Sequence, residues 1–256
     1  MNLNRRLFLQ GSAAASAGLM LGFNLSCSSD STEPELPEVE FAPNAFVRIG
    51  TDNTVTIISK HIELGQGTFT GLATILADEL DAAWEQVRVE HAPMDPQKYG
   101  NAALGEIPGI GPVMSTGGST AMAASWMQMR EAGAAARSML VAAAAAEWDV
   151  SVSSISVEDG VVSASGSGQS ATFGELARAA AAMPVPDSIE LKSASDFKLI
   201  GSEVPRVDVA SKTDGTAQYT IDVYQPEMLT AVVAHPPRFG GTVVSFDDSA
   251  TRQVPG

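Results

Sequence analysis

A regular spacing of apolar and small residues after Ser119 constrains the fold more than any other feature of the sequence. One helical face recurs at intervals of four, three, four, three and four residues, through Met122, Trp126, Met129, Gly133, Ala136 and Leu140. This spacing predicts a helix over Ser119–Trp148, about 45 Å long at ~1.5 Å per residue. Its many alanines add little side-chain bulk, so neighbouring elements can pack closely against it.

The residues before this helix predict a small sheet. Strands are expected at Ala45–Gly50 and Thr54–Ser59, joined by the turn Thr51-Asp52-Asn53. Alternation of apolar and polar residues predicts a third strand at Gln86–His91. Pro93–Gly118 shows no periodicity and is rich in Gly and Pro, which predicts a long functional or mobile loop.

A second helix is predicted between the second and third strands. It begins at Gly65-Gln66-Gly67 and presents one apolar face made of Phe69, Leu72, Leu76 and Leu80. Its acidic residues are expected on the opposite, solvated face: Asp78, Glu79 and Asp81.

The residues after Trp148 alternate between strand and helix signals. Asp159-Gly160 predicts a hairpin between Ser154–Glu158 and Val161–Ser165. A short helix is expected at Phe173–Met183, and strands at Leu229–Ala234 and Thr242–Phe246. The expected fold class is therefore α+β, with a mixed sheet covered by helices and a second, incomplete domain.

Charge and cysteine content exclude several classes of function. Acidic residues outnumber basic residues 30 to 15, a formal net charge of -15, which excludes nucleic acid as a general partner. A single cysteine, Cys27, cannot form an internal disulfide, a Cys-rich zinc site or an iron–sulfur cluster. The histidines are His61, His91 and His235, and they lack the spacing of metal ligands.

The first residues have the features of an export signal. Arg5-Arg6 lies in a twin-arginine motif, and a weakly apolar stretch without charge follows from Leu7 to Leu25. Residues 1–27 are therefore expected to be a signal peptide that directs the protein to the periplasm, with a short membrane anchor as the alternative. Cys27 is either a lipidated cysteine or an incidental one. Residues 28–44 are expected to form a flexible spacer.

Two glycine-containing turns are the candidates for ligand binding. Gly65, Gln66, Gly67 and Thr68 open a predicted helix, where unpaired backbone N–H groups and the helix dipole favour an anion. Thr116, Gly117, Gly118 and Ser119 precede the long helix in the same way. Each turn alone is equally explained as a helix cap, but together they suit one polyanionic ligand. His61 either lines this site or is a structural histidine.

These segments resemble those of the xanthine dehydrogenase/aldehyde oxidase family. Ile62–Thr68 is similar to the Glu-Met-Gly-Gln-Gly segment of the molybdenum-binding subunit, and Ser115–Ser125 is similar to its second pterin-contacting segment. Leu199–Arg206, Asp214–Asp222 and Met228–Pro237 resemble the entry to its α/β-hammerhead domain. The Gly-Gln-Gly segment precedes the hammerhead, an order similar to that of the family branch that contains the isoquinoline 1-oxidoreductase β-subunit.

The resemblance implies a molybdenum–molybdopterin dinucleotide, in this branch usually the cytosine form. Its implied contacts are Gly65, Gln66, Gly67, Thr68, Thr116, Gly117, Gly118, Ser119 and Ser125. The implied reaction is the hydroxylation of a small-molecule substrate, an aldehyde or N-heteroaromatic compound, with water as the oxygen source. Electrons would leave through [2Fe-2S] clusters on a small partner subunit, with a cytochrome c as a further acceptor.

The resemblance also implies domain boundaries and an incomplete catalytic site. A molybdopterin-binding domain would span residues 45–183, a linker 184–211 and a partial hammerhead 212–256. The family's general-base glutamate would lie beyond Gly256, so no residue of this chain is assigned a catalytic role and the chain alone is expected to be inactive. The alternatives are an exported, non-catalytic protein that binds a small anion, or an inactive remnant of the enzyme.

Overall fold

The computed structural model describes residues 41–105 and 107–254. The predictions for the signal peptide and Cys27, and most of the predicted spacer, lie outside these residues. The chain divides into two units, Met1–Thr213 and Asp214–Gly256, which are described separately. None of the helices in the described ranges combines the length and the apolar character needed to span a membrane.

A four-stranded mixed sheet begins the first unit. Its strands lie in the order of the chain: β1 (Phe41–Asn44), β2 (Val47–Ile49), β3 (Val55–Ser59) and β4 (Val87–His91). The first three strands are antiparallel, whereas β3 and β4 are parallel and pair Val55 with Val87. The predicted mixed sheet is thus confirmed. Strand β1 falls at the end of the predicted spacer, where backbone pairing with β2 fixes it.

Two helices pack against each other over this sheet. Helix α1 (Thr68–Leu80) connects β3 to β4, because parallel strands need a crossover connection. Short helices α2 (Pro96–Tyr99) and α3 (Ala102–Gly105) interrupt the loop that was expected to be irregular. The long helix α4 (Trp126–Trp148) lies so close to α1 that a Cβ on Gly133 would overlap the carbonyl oxygen of Leu76.

Helix α4 begins seven residues later than the spacing predicted. Gly118 and Ser119 have left-handed backbones, with φ of 64° and 57°, which a right-handed helix cannot contain. The Thr120 hydroxyl donates to the carbonyl of Gly117 at 2.9 Å, and Asn101 donates to that hydroxyl at 2.8 Å. These polar contacts stabilise a turn over the residues that the apolar spacing assigned to the helix.

A second, antiparallel sheet follows α4. It contains β5 (Ile155–Glu158), β6 (Val161–Ala164) and β7 (Ser170–Thr172). The predicted hairpin at Asp159-Gly160 is confirmed, with Gly160 at a φ of 75°. Helix α5 (Phe173–Ala181) then begins with a capping box between Thr172 and Glu175.

The prediction of a solvated acidic face on α1 is wrong. Asp78 and Glu79 are 1% and 0% exposed, because the connection between α5 and α6 (Val209–Thr213) packs against them. The Asp78 carboxylate accepts hydrogen bonds from the backbone of residues 198–200 and from Lys192 Nζ at 3.1 Å. The partners lie more than a hundred residues from α1 in sequence, so helical periodicity could not reveal them.

The predicted strands at Leu229–Ala234 and Thr242–Phe246 are also wrong. Residues 214–254 of the second unit contain no strand, and their regular structure is limited to two short 3₁₀ helices, Thr220–Asp222 and Thr251–Gln253. Large apolar side chains of this stretch are exposed, including Leu229, Val232, Val243 and Phe246. A strand needs a neighbour to take up its backbone hydrogen bonds, and these runs have none in the described part of this unit.

Candidate functional site

The loop between β3 and α1 carries the first predicted turn. Gly65 and Gly67 have φ of 100° and 88°, a conformation that favours glycine. A Cβ at either position would meet no atom within 4 Å, so both backbones border open space. Helix α1 begins directly after Gly67, as the sequence predicted.

The carboxylate of Glu63 occupies the start of α1. Oε1 accepts hydrogen bonds from the backbone N–H groups of Gly65 and Gly67 at 2.7 and 3.0 Å, and Oε2 accepts from Phe69 at 3.0 Å. Burial alone would raise the pKa of Glu63, but these three hydrogen bonds outweigh it and lower the pKa below its ordinary value. The helix start therefore already holds an anion, supplied by the chain itself.

Gln66 also uses its side chain within the loop. Its Oε1 accepts from the backbone N–H of Leu64, and its Nε2 donates to the carbonyl of Ile62 at 2.8 Å. The amide thus closes a tight loop that presents the glycine backbones outward.

The second predicted turn is held by a buried asparagine. Asn101, 1% exposed, donates from Nδ2 to the carbonyl of Ser115 at 3.1 Å and to the hydroxyl of Thr120. Between these two anchors Gly117, Gly118 and Ser119 are exposed. The turn does not open the helix directly, because Ser125 occupies the residue before α4.

The structure brings the two turns together. The backbone N–H of Ile62 donates to Thr116 Oγ1 at 2.9 Å, and His61 Nδ1 lies 3.3 Å from the same oxygen. Further along, Gly71 of α1 faces the thioether of Met122 closely enough that a Cβ would be 2.8 Å from the sulfur. The segments 61–68 and 115–125 therefore border one region of the first unit, which is the site considered below.

Two buried polar atoms of this site have no hydrogen-bond partner among the described residues. They are His61 Nε2 and Ser125 Oγ, on side chains of residues that are 1% and 0% exposed. Ser125 stands at the N-cap position of α4, yet its hydroxyl does not cap the helix. A buried polar atom without a partner is unfavourable, so both atoms point to a ligand that the chain would bind.

A buried cation lies beside this region. Lys60 is 4% exposed, and its Nζ donates to the carbonyl of Gly100 at 3.2 Å and to Gln128 Oε1 at 2.7 Å. Within residues 41–105 and 107–254, no carboxylate pairs with it. Burial lowers the pKa of Lys60 to about 8, and burial together with the charge of Lys60 lowers the pKa of His61 to about 4.

The neutral state of His61 predicts a pH-dependent stability. Between its folded pKa of about 4 and its ordinary value of 6.5, the unfolded chain binds a proton that the folded chain does not, so acidification favours unfolding. Relative to His61→Gln, the protein is expected to lose about 2 kcal/mol between about pH 7 and pH 5. Urea unfolding at both pH values measures this. The exposed His235→Gln is the control, and equal losses in the protein and His61→Gln would contradict the prediction.

Sequence reasoning missed three residues of this site. Lys60 and Glu63 lie within the loop, and an acid just before a helix is a general sign of a helix N-terminus. Arg206, whose Nη2 lies 3.2 Å from Glu63 Oε1, gave no local sign because 143 residues separate the two. The structure thus keeps the predicted residues together and adds a charged pair and a buried lysine around them.

Comparison with known proteins places the chain among molybdenum enzymes. Residues 6–228 match the family model described as the molybdopterin cofactor-binding domain. The β-subunit of isoquinoline 1-oxidoreductase from Brevundimonas diminuta is 33% identical over 289 residues, covering 100% of this chain and 36% of that protein. The match thus spans nearly the whole chain but only part of its relative.

Two further relatives have the same partial coverage. Membrane-bound aldehyde dehydrogenase of Gluconacetobacter polyoxogenes, whose name adds pyrroloquinoline-quinone, is 34% identical over 100% of this chain and 32% of its own. A nicotinate dehydrogenase subunit of Pseudomonas putida is 30% identical over 87% of this chain and 18% of its own. The chain therefore spans about a third of the length of the first two relatives and about a fifth of the third.

Proposed function

Because the chain belongs to the family of molybdopterin cofactor-binding domains, we propose that it binds a molybdenum–molybdopterin dinucleotide where the segments 61–68 and 115–125 meet. The observation that carries this site is the pair of buried polar atoms without partners, His61 Nε2 and Ser125 Oγ. A pterin and its phosphates offer many hydrogen-bond donors and acceptors, so they match what these atoms lack.

The residues present fit such a group in three further respects. Gly65, Gly67 and Gly117 border open space, so a flat ligand can approach their backbones. Thr116 and Ser119 add hydroxyl groups, and Thr68 and Gly118 complete the two turns. Gln66 would act by shaping its loop, since its amide already bonds to the backbone of residues 62 and 64. Lys60 supplies a positive charge close to the site in a protein of net charge -15.

The bound group would supply a redox centre for hydroxylation of a substrate with oxygen from water. The names of the relatives support two substrate classes, N-heteroaromatic compounds and aldehydes. The task of this chain's own residues is to bind and orient the cofactor. Its neutral His61 and buried Ser125 can exchange hydrogen bonds with a ligand without adding charge.

The wider setting of the protein belongs to the same proposal. The cytosine dinucleotide form, a hammerhead domain from residue 212 and a small subunit with [2Fe-2S] clusters follow from the family resemblance. Two relatives are named as subunits, which supports a partner chain. Arg5-Arg6 supports export to the periplasm by the twin-arginine route, a cytochrome c as acceptor is compatible with that location, and Cys27 would be the point of any lipid anchor.

Cofactor content tests the proposal. The chain, purified from cells that make molybdopterin, is expected to carry molybdenum and a pterin, measured by plasma mass spectrometry and by pterin fluorescence after oxidation. Thr116→Val and Ser125→Ala should each lower both contents about tenfold, because each removes a hydrogen bond to a group in a desolvated site.

Ser138→Ala is the matched control for this test. Ser138 is a half-buried serine of α4 whose hydroxyl donates to the carbonyl of Ala134 at 2.9 Å, away from the site. It should keep the wild-type content of molybdenum and pterin. A wild-type chain that carries neither, but binds pyrophosphate, would instead support the non-catalytic anion-binding alternative.

A further inference from the structure

The start of α1 is closed by residues from two distant parts of the chain. Glu63 is bound by three backbone N–H groups of its own loop, as described above, and its side chain is only 4% exposed. Arg206 reaches the same loop from the connection before α6, with Nη2 3.2 Å from Glu63 Oε1 and Nη1 donating to the carbonyl of Gly65 at 3.2 Å. The guanidinium thus binds both the carboxylate and the loop backbone.

Arg206 is itself held in place. Asp208 accepts from its Nε and Nη2, both at 3.1 Å. On either side of Arg206, the Pro205 carbonyl accepts from Trp84 Nε1 at 3.1 Å and the Val207 N–H donates to Thr70 Oγ1 at 3.2 Å. These bonds fix the segment 205–208 against the first unit, so the guanidinium is presented to Glu63 in a defined position.

This arrangement changes what the helix start can bind. The N–H groups of Gly65, Gly67 and Phe69, which would otherwise suit a phosphate, already donate to a carboxylate. A second anion at these groups would meet the negative charge of Glu63 at short range. By contrast, the buried atoms without partners belong to His61 and Ser125.

We propose that Glu63 and Arg206 are a positioning pair. The carboxylate acts as an internal anion that fixes the Gly65–Gly67 loop before any ligand binds, and it keeps ligand phosphates away from the start of α1. Phosphate groups of the cofactor are thereby directed to the 115–125 segment. Only this last consequence rests on the proposed function, because the internal anion is a property of the chain's own contacts.

Hydrogen exchange of the loop amides tests the pair in the full chain without cofactor. In Glu63→Ala, exchange at Gly65, Gly67 and Phe69 is expected to rise about tenfold, while amides within α5 keep their rates. Millimolar acetate should then restore protection of the three amides, because it replaces the missing carboxylate. The wild-type chain should show no effect of acetate or inorganic pyrophosphate at these amides.

Glu90→Ala is the matched control. Glu90 also forms an ion pair with an arginine, Arg48, but on strand β4 and away from the loop. Its removal should leave the exchange of all three loop amides unchanged, with or without acetate. Glu63→Gln, which keeps the shape and one acceptor oxygen, should give an intermediate rise at Gly65 and Gly67 and provides the readout if Glu63→Ala does not fold.

Two results would overturn the inference. One is unchanged exchange at the three amides in both Glu63 variants, and the other is protection by pyrophosphate in the wild-type chain. Molybdenum and pterin contents of the same samples report on the proposed function separately. A wild-type chain without cofactor whose Glu63→Ala variant is rescued by acetate would refute the function and leave the internal anion standing.

Discussion

Replacing Asp78 with alanine is expected to lower the free energy of unfolding by about 4 kcal/mol. The side chain is fully buried, and Oδ2 accepts from the backbone of Lys198, Leu199 and Ile200 at 3.1, 2.9 and 2.8 Å. Lys192, only 8% exposed at its side chain, also donates to Asp78. Removing the carboxylate leaves buried donors without an acceptor, which costs more than an ordinary hydrogen bond contributes.

Urea unfolding, followed by circular dichroism, measures the Asp78 effect. Asp149→Ala is the control, because Asp149 is an exposed acid that also follows a helix and is not part of the buried network. The control should change stability by no more than about 1 kcal/mol. If both variants lost the same small amount, the connection 192–200 would not be anchored by α1.

Gly133→Val is expected to destabilise the protein by about 3 kcal/mol. Its Cβ would overlap the carbonyl oxygen of Leu76 and lie 3.0 Å from the Cβ of Glu79, so α1 and α4 would have to separate. Helix propensity alone predicts the opposite sign, because valine is a better helix former than glycine. The backbone contact decides the outcome, since Leu76 cannot move without its helix.

Gly117→Val is the matched control for Gly133→Val. A Cβ at Gly117 meets no atom within 4 Å, so the midpoint of thermal unfolding should stay within about 2 °C of the wild type. The Gly133 variant should show a much larger fall in the same measurement. A Gly133 variant as stable as the wild type would contradict the close approach of α1 and α4.

Local patterns predicted the elements of the first unit well. The apolar spacing around Leu72 and Leu76 predicted α1, and the alternation at Gln86–His91 predicted β4. The Asp159-Gly160 turn predicted its hairpin. The same method gave the wrong start for α4 and strands at Leu229–Ala234 and Thr242–Phe246, because it cannot tell whether a neighbour supplies backbone hydrogen bonds.

The candidate site could be predicted only in part. Glycines before a helix drew attention to Gly65–Gly67 and to Gly117–Gly118, and the structure brings these turns together through Thr116 and Ile62. The sequence predicted that an anion would occupy the start of α1, without indicating that Glu63 fills it. The roles of Thr68, Ser119 and Ser125 toward a cofactor remain predictions.

The sequence by itself determined the elements whose causes are local: the periodicity of α1 and α4, the turn chemistry of the hairpin and the acidic charge. It also carried the family motif, because that motif is a run of neighbouring residues. Only the tertiary structure decided which charges are buried, such as Asp78 and Lys60, and which anion occupies the start of α1. Those outcomes depend on contacts such as Arg206 with Glu63, across 143 residues, and such contacts leave no periodic trace in the chain.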